Sequence, residues 1–216
     1  MSTNTPSYFQ LNTGEKLQGD YTPRAINLAF VFQVNCPGCF VYGIPMINTL
    51  YEKYKEKVGF LGISTAFEDF DKNTVANTQL LLKQQVLTGE TKKYFVTQGV
   101  TKYPQKVLFP VFFDRLTSPE KFLSSTHLEI IQQKLQRFDS TSSSEKANLT
   151  QQIVAHYQRL PQIAHTFSLN QLPGTPTFVI YNQQHEIINM FFGRQSLTVM
   201  ASKLDTLLEN QLHQTL

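Results

Sequence analysis

The sequence predicts an α/β fold built around a buried, largely parallel sheet, on three observations. The run Ile26 to Val34 (Ile-Asn-Leu-Ala-Phe-Val-Phe-Gln-Val) is uncharged and almost continuously apolar, the pattern of a strand covered on both faces. Apolar residues then recur at Phe40, Ile44, Ile47, Tyr51 and Tyr54, in steps of four and three that lie on one face of a helix. A second strand-like run, Val58 to Ile63, and a second helical stretch from about Lys72 to Leu87 repeat the alternation. Strands alternating with helices are the signature of a parallel sheet.

The remaining elements follow in order. Val107 to Phe113 reads as a strand ending at Asp114, in which Pro110 implies a bulge, an edge or a late start. After Ser118-Pro119 the texture changes. Leu128, Ile131, Leu135 and Phe138 keep helical spacing, Ser140 to Ser144 is a polar break, and Leu149, Ile153, Tyr157, Leu160, Ala164 and Phe167 form a second helical face, with a kink expected at Pro161. Residues 115–168 therefore read as a helical insertion without repeats. The sheet resumes at Thr177 to Tyr181, turns through Asn182 to His185, and pairs back over Glu186 to Phe192. Leu197, Met200, Leu204, Leu207 and Leu208 make a closing amphipathic helix. With 216 residues, 41% of them apolar, the chain reads as one domain over 1–216 carrying one elaboration.

Composition excludes several classes of partner. Nineteen Lys and Arg against 16 Asp and Glu leave a net charge of +3 without a basic run, so no nucleic acid is expected. The uncharged stretch Ala25 to Tyr51 is interrupted by Asn27, Gln33, Asn35, Pro37, Gly38 and Pro45, too often for a membrane span. Met1 to Tyr8 is polar and lacks the apolar core of a signal peptide. That places the chain in the cytoplasm, or in the periplasm if a leader has been removed. The five histidines have no ligand spacing to one another and read as surface or half-buried side chains.

The chemistry sits at Cys36-Pro37-Gly38-Cys39, which holds the two cysteines of the whole chain. A CxxC is also half of a zinc site, but zinc takes four ligands, and there is no second CxxC or histidine pair at finger spacing. Placed between a buried strand and a helix, the pair points to redox work. Cys36 falls at the helix N-terminus, where unpaired N–H groups and the macrodipole stabilise a thiolate. Cys39, one turn deeper, is expected to be the less acidic, resolving thiol. Pro37 suits a first helical turn, where its missing N–H costs nothing, and Pro45 is expected to kink the helix. Leu172-Pro173-Gly174-Thr175-Pro176-Thr177-Phe178 sets a proline at the start of a strand. Taken alone it reads as a trans proline, since only about 5% of X–Pro bonds are cis.

Together these pieces resemble the thioredoxin superfamily. The pattern VFQVNCPGCFVYGIPMINTLYEKYKEKVGFLGISTAFEDFDKNT, supported by GTPTFVI, is most similar to the TlpA-like redoxins, and the matching pieces cover about two-thirds of the chain. The resemblance implies a thioredoxin-like central sheet flanked by helices, with the helical insertion before a cis-proline loop. It implies that Cys36 is the nucleophile, Cys39 its partner and Pro176 a cis-proline opposite them. Thr175 then contacts the substrate strand, with Asn35, Pro37 and Gly38 bordering the same surface. Three departures stand out. Asn35 occupies a position where many members carry Trp, Pro45 comes one residue late, and Phe30 stands where many members place the acid that moves the proton of the buried cysteine. Glu68, in the loop after the second strand and so at the carboxyl edge where ligand chemistry gathers, is the candidate substitute.

The implied activity is protein thiol–disulfide exchange, in the reducing direction given the expected compartment. It needs a disulfide-bonded protein or peptide substrate and a recycling reductant, and no cofactor. A peroxiredoxin-like peroxidase is the rival enzyme. Its pattern puts Thr or Ser three residues before the cysteine and Pro seven before, where this chain has Gln33 and Ala29. A copper-binding chaperone on the same fold is the non-enzymatic rival; soft thiolates suit Cu(I), but such proteins resemble CxxxC plus a distal His.

Overall fold

The computed structural model describes residues 6–135 and 142–214, with side chains as far as 211. Its centre is a six-stranded mixed sheet in the order β1-β4-β3-β2-β7-β8, built from β1 (Thr13–Gln18), β2 (Ile26–Phe32), β3 (Val58–Ser64), β4 (Val111–Asp114), β7 (Thr177–Asn182) and β8 (Ile187–Phe192). All seven residues of β2 are buried. This strand runs parallel to β3 and antiparallel to β7, with Ala29 opposite both Leu61 and Val179. Its side chains alternate between two cores. Leu28, Phe30 and Phe32 pack under α1 (Ile44–Tyr54) and α8 (Leu197–Gln214) with Ile44, Ile47, Leu50, Met200 and Leu204. Ala29 and Val31 face the other way, against Phe9, Leu172 and Tyr181.

Between β4 and β7 the chain leaves the sheet. It forms α4 (Pro119–Phe122), α5 (Ser125–Lys134), α6 (Ser143–Gln158) and α7 (His165–Leu169), plus a small antiparallel pair, β5 (Leu116–Thr117) and β6 (Ile163–Ala164). Phe122, Ile131, Tyr157, Ile163 and Leu169 give this region a core of its own. Among the described helices none is long and apolar enough to cross a membrane.

Several sequence expectations change. Pro161 does not kink a helix: α6 ends at Gln158, and the next residues turn into β6 and α7, because a proline cannot supply the N–H that continuation needs. The region 115–168 is therefore helical with a two-stranded ribbon rather than purely helical. The helix expected from Lys72 to Leu87 is the shorter α2 (Val75–Gln84), started by the Thr74 hydroxyl accepting from Asn77 N–H at 3.1 Å and stopped by Gln85 at φ 58°. Pro110 acts as a late start, so the fourth strand begins at Val111. The edge strand β1 and α3 (Gly89–Val96) carry no clear apolar period and were not foreseen. Phe138 and Ser140 lie outside the described residues, as does the His213 side chain. His165, read as a surface or half-buried histidine, is buried beside Phe122 and His127.

Candidate active site

The chain leaves β2 at Phe32, turns, and enters the next helix at Pro37. Cys36 stands at the cap position. Its Sγ accepts the Cys39 N–H at 3.3 Å, and its own N–H donates to the Gln33 carbonyl at 3.3 Å. Pro37 occupies the first turn, where no N–H is required. The helix then opens into a π turn, Cys39–Gly43, in which Ile44 N–H reaches back to the Cys39 carbonyl. Pro45 follows directly in α1. The break expected at Pro45 is thus taken up by a wider helical turn just before it, and π turns of this kind recur at functional sites. The same turn brings Gly43 against the Phe30 ring, where an added Cβ would lie 2.6 Å from a ring carbon.

The Thr175–Pro176 peptide bond is cis. Its loop faces the dithiol, and the Cys36 S–H donates to the Thr175 carbonyl at 3.4 Å. The Thr175 hydroxyl donates to Gln33 Oε1 at 3.2 Å. Gly193 N–H holds the Pro176 carbonyl at 2.9 Å. This contact brings the exposed Phe192 beside the loop, while Arg194 lies 4.8 Å over the ring of the exposed Tyr42.

The two sulfurs differ in environment. Cys36 is half-buried and Cys39 is enclosed. The Cys36 thiol is pulled down to about 6. The largest cause is the Cys39 S–H donating to it; burial opposes this, and the Thr175 hydroxyl and then the N–H groups of Cys39 and Gly38 add to it. The helix terminus invoked from the sequence therefore contributes, behind the partner thiol. Cys39 is pushed well up, first by burial and then by the hydrogen bond and charge of Cys36.

Asn35 is a bracket. Its N–H donates to Asn73 Oδ1 at 3.1 Å, its Nδ2 donates to Asp69 Oδ2 at 2.8 Å, and its Oδ1 accepts the Glu90 N–H at 2.6 Å. The start of α3 packs against it through Gly89, at φ +52°, where a Cβ would fall 1.9 Å from Asn35 Oδ1. Glu68 lies in the loop after β3, as expected, but the group tied to the site is its carbonyl, which accepts Asn73 Nδ2 at 2.9 Å and Gln33 Nε2 at 3.5 Å. Its carboxyl is exposed and raised, first by partial burial and then by Asp69. The position six before Cys36 belongs to the core: Phe30 stacks on Phe32 and Phe178, each at 5.2 Å.

Sequence reasoning missed Gln33, Asn73 and Tyr103 as site residues. Gln33 is 3% exposed and Asn73 1%. Tyr103 is buried edge-on to Phe40, gives its hydroxyl proton to the Phe40 carbonyl at 2.9 Å, and is pushed up first by burial and then by charge on Cys39. The available signal was Gln33 itself, an amide inside an apolar run, because a buried polar side chain needs partners.

No known family model matches this chain, and no curated protein sequence does. Solved structures do resemble it. A thiol-disulfide isomerase from Corynebacterium glutamicum matches with a TM-score of 0.56 at 18% identity, over 95% of this chain and 97% of that one. A thioredoxin-like superfamily protein matches with a TM-score of 0.57 at 18% identity, over 94% and 97%. A thioredoxin-like protein solved in its oxidised form gives 0.50 at 10% identity, over 97% and 99%. The fold is thioredoxin-like: a mixed central sheet flanked by helices. It is a fold used by thiol–disulfide oxidoreductases.

Proposed function

We propose that this chain is a protein thiol–disulfide oxidoreductase working in the reducing direction through the Cys36/Cys39 pair, in one domain over 1–216 with 115–168 as an insertion. The observation that carries this reading is the asymmetry of the pair: an acidic, half-exposed Cys36 beside the Thr175 carbonyl, over an enclosed, weakly acidic Cys39.

The Cys36 thiolate attacks one sulfur of a substrate disulfide. A Cys36–substrate disulfide forms, and the first substrate sulfur leaves as a thiolate. Cys39 then gives up its proton and attacks the Cys36 sulfur. The second substrate sulfur leaves, and a Cys36–Cys39 disulfide remains. Two electrons pass from the dithiol to the substrate, which ends as two thiols. An external dithiol reverses the change in the enzyme. Thr175 offers its main chain to an extended substrate segment, with Asn35, Pro37 and Gly38 at its border and Tyr42, Phe192 and Arg194 alongside. Asn35 acts by holding the loop, since its side-chain donor and acceptor are both engaged. Glu68 takes the Cys39 proton by way of solvent.

The test is to mix Cys39→Ser with a disulfide-bonded peptide and read intact mass under non-reducing conditions. A reducible adduct on Cys36 is expected, because the first step is intact and resolution is blocked. A folded variant that forms no adduct removes the reading.

A further inference from the structure

The helix that carries the dithiol contains a carbonyl that its own backbone leaves without a donor. In an α turn the Phe40 carbonyl would accept the N–H of residue 44, and in a π turn that of residue 45. The Ile44 N–H is spent one residue earlier, on the Cys39 carbonyl. Residue 45 is proline and has no N–H to give. The missing bond comes from outside the helix. The Tyr103 hydroxyl, 63 residues on in sequence, donates to the Phe40 carbonyl at 2.9 Å in a buried setting. Tyr103 is itself held. Its N–H donates to the Gln85 carbonyl at 2.8 Å, and its carbonyl accepts Gln85 Nε2 at 2.8 Å. Its ring meets Phe40 and Phe95 edge-on, with centroids 4.9 and 5.8 Å away. Burial also pushes its ionisation up, so the hydroxyl keeps its proton.

We propose that Tyr103 is a positioning residue of the resolving thiol: its hydroxyl supplies the hydrogen bond that Pro45 withholds and so fixes the π turn that carries Cys39. The inference rests on the redox reading of the same site and goes beyond it by naming what holds Cys39 in reach of Cys36. The Cys39 main chain is engaged on both sides. Its N–H donates to the Cys36 carbonyl at 3.0 Å and to Cys36 Sγ at 3.3 Å, and its carbonyl takes the Ile44 N–H. The Phe40 carbonyl is the next acceptor along the turn. A buried carbonyl without a donor is costly. Without the hydroxyl the turn must rewind or admit water, and either change shifts Cys39 relative to Cys36. The hydroxyl has one proton and gives it to this carbonyl, so Tyr103 acts through the turn and not on a sulfur.

The test mixes reduced protein with an equal amount of a chromogenic aromatic disulfide at pH 8 and follows it by stopped flow. The Cys36 thiolate attacks, a Cys36–aryl disulfide forms, and one aryl thiolate is released. Cys39 then yields its proton to solvent and attacks the Cys36 sulfur; the second aryl thiolate leaves, and a Cys36–Cys39 disulfide remains. Tyr103→Phe keeps the ring and removes the hydroxyl. It is expected to slow the second release about tenfold, the scale of one buried carbonyl left unpaired. The first release should change by less than about twofold, because a thiol of pKa about 6 is almost wholly thiolate at pH 8. Pro45→Ala returns an N–H to the helix and makes the hydroxyl redundant. The double variant should therefore resolve within about twofold of Pro45→Ala alone. A second release at the wild-type rate in Tyr103→Phe, equal slowing of both releases, or the same loss with and without Pro45 would each overturn the proposal. If Tyr103→Phe does not fold, the double variant must fold and resolve at the Pro45→Ala rate; a double variant that stays unfolded overturns it as well. A Cys39→Ser chain that traps no peptide adduct would instead remove the redox reading, while the coupling of Tyr103 to Pro45 is still read from the aromatic disulfide.

Discussion

The chemistry of this protein turns on a contrast between two sulfurs three residues apart. Cys36 is at about 6 and Cys39 far above an ordinary thiol, the difference on which the proposed exchange rests. At pH 7 a thiol of pKa 6 is about 90% ionised, against about 1% for one of pKa 9, but its thiolate is roughly 30-fold less nucleophilic at a Brønsted slope near 0.5. Cys36 should therefore alkylate only about threefold faster than a free thiol at pH 7. At pH 5 the advantage should grow to about 30-fold. Peptide mass mapping across pH 5–9 checks this, and Cys39 should remain unlabelled over most of that range. Glu68→Gln bears on the second step. Because the Glu68 carboxyl is exposed while Cys39 is enclosed, its effect should appear in the rate at which the mixed disulfide resolves, with little change in thermal stability. Resolution kinetics unchanged across pH 6–9 would relieve Glu68 of the proton-handling role.

Elements meet the site through a few enclosed polar groups. Asp114, the last residue of β4, is buried; its Oδ1 accepts the Thr166 N–H at 2.8 Å, and its Oδ2 accepts the Phe167 N–H at 3.0 Å and the Thr65 hydroxyl at 2.9 Å. It thereby ties α7 and the end of β3 to the sheet. Burial raises this carboxyl to about 6 against the opposing pull of those donors. In the unfolded chain it titrates near 3.8, so between these values the folded state holds a proton that the unfolded state has lost. The stabilisation is fully present below about pH 3.8 and is lost as pH rises through about 6. The loss is about 3 kcal/mol for a difference of that size. Asp114→Asn should abolish this slope in urea titrations from pH 4 to 7. It should also cost stability at every pH, since an amide N–H₂ replaces one acceptor oxygen where only donors wait. The stacked pair Phe67 and Phe167, 3.8 Å between ring centroids and nearly parallel, makes a second tie between the active-edge loop and α7.

Taken as a whole, the molecule places an acidic Cys36 over a weakly acidic Cys39 on a sheet of the thioredoxin type. A more stabilised Cys36 thiolate favours the reduced form and raises the potential. Thioredoxin, with its nucleophile near pH 7, lies at about −270 mV, and DsbA, with its nucleophile near 3.5, at about −120 mV. With Cys36 between them, the midpoint at pH 7 should fall between about −270 and −200 mV, low enough for a reductase. Equilibration with a glutathione buffer measures it; a value near −120 mV would make the protein an oxidant and overturn the reducing direction.

Much of this was legible in the residues. The buried strand, the CxxC after it, the helix behind it and the closing hairpin and helix all announce themselves through local periodicity, which is a property of neighbours along the chain. The fold class followed from their order. Gln33 was legible only as an anomaly, a polar residue in an apolar run, with nothing local to say what it meets. Its partner Thr175 is 142 residues away, and the carbonyl facing Cys36 is 139 away. Asn35 likewise gains its role from Asp69, Asn73 and Glu90, none of which a spacing rule connects to it. β1 has no readable period because it is an edge strand with exposed charges; what holds it is distant in sequence, the pairing with β4, Leu17 against the main core, and Gln18 Nε2 donating to the Val107 and Phe109 carbonyls. Periodicity tells which face of an element turns inward. Which atoms then touch depends on the closure of long loops and on the direction in which each side chain leaves the backbone, and those are set when the whole sheet assembles.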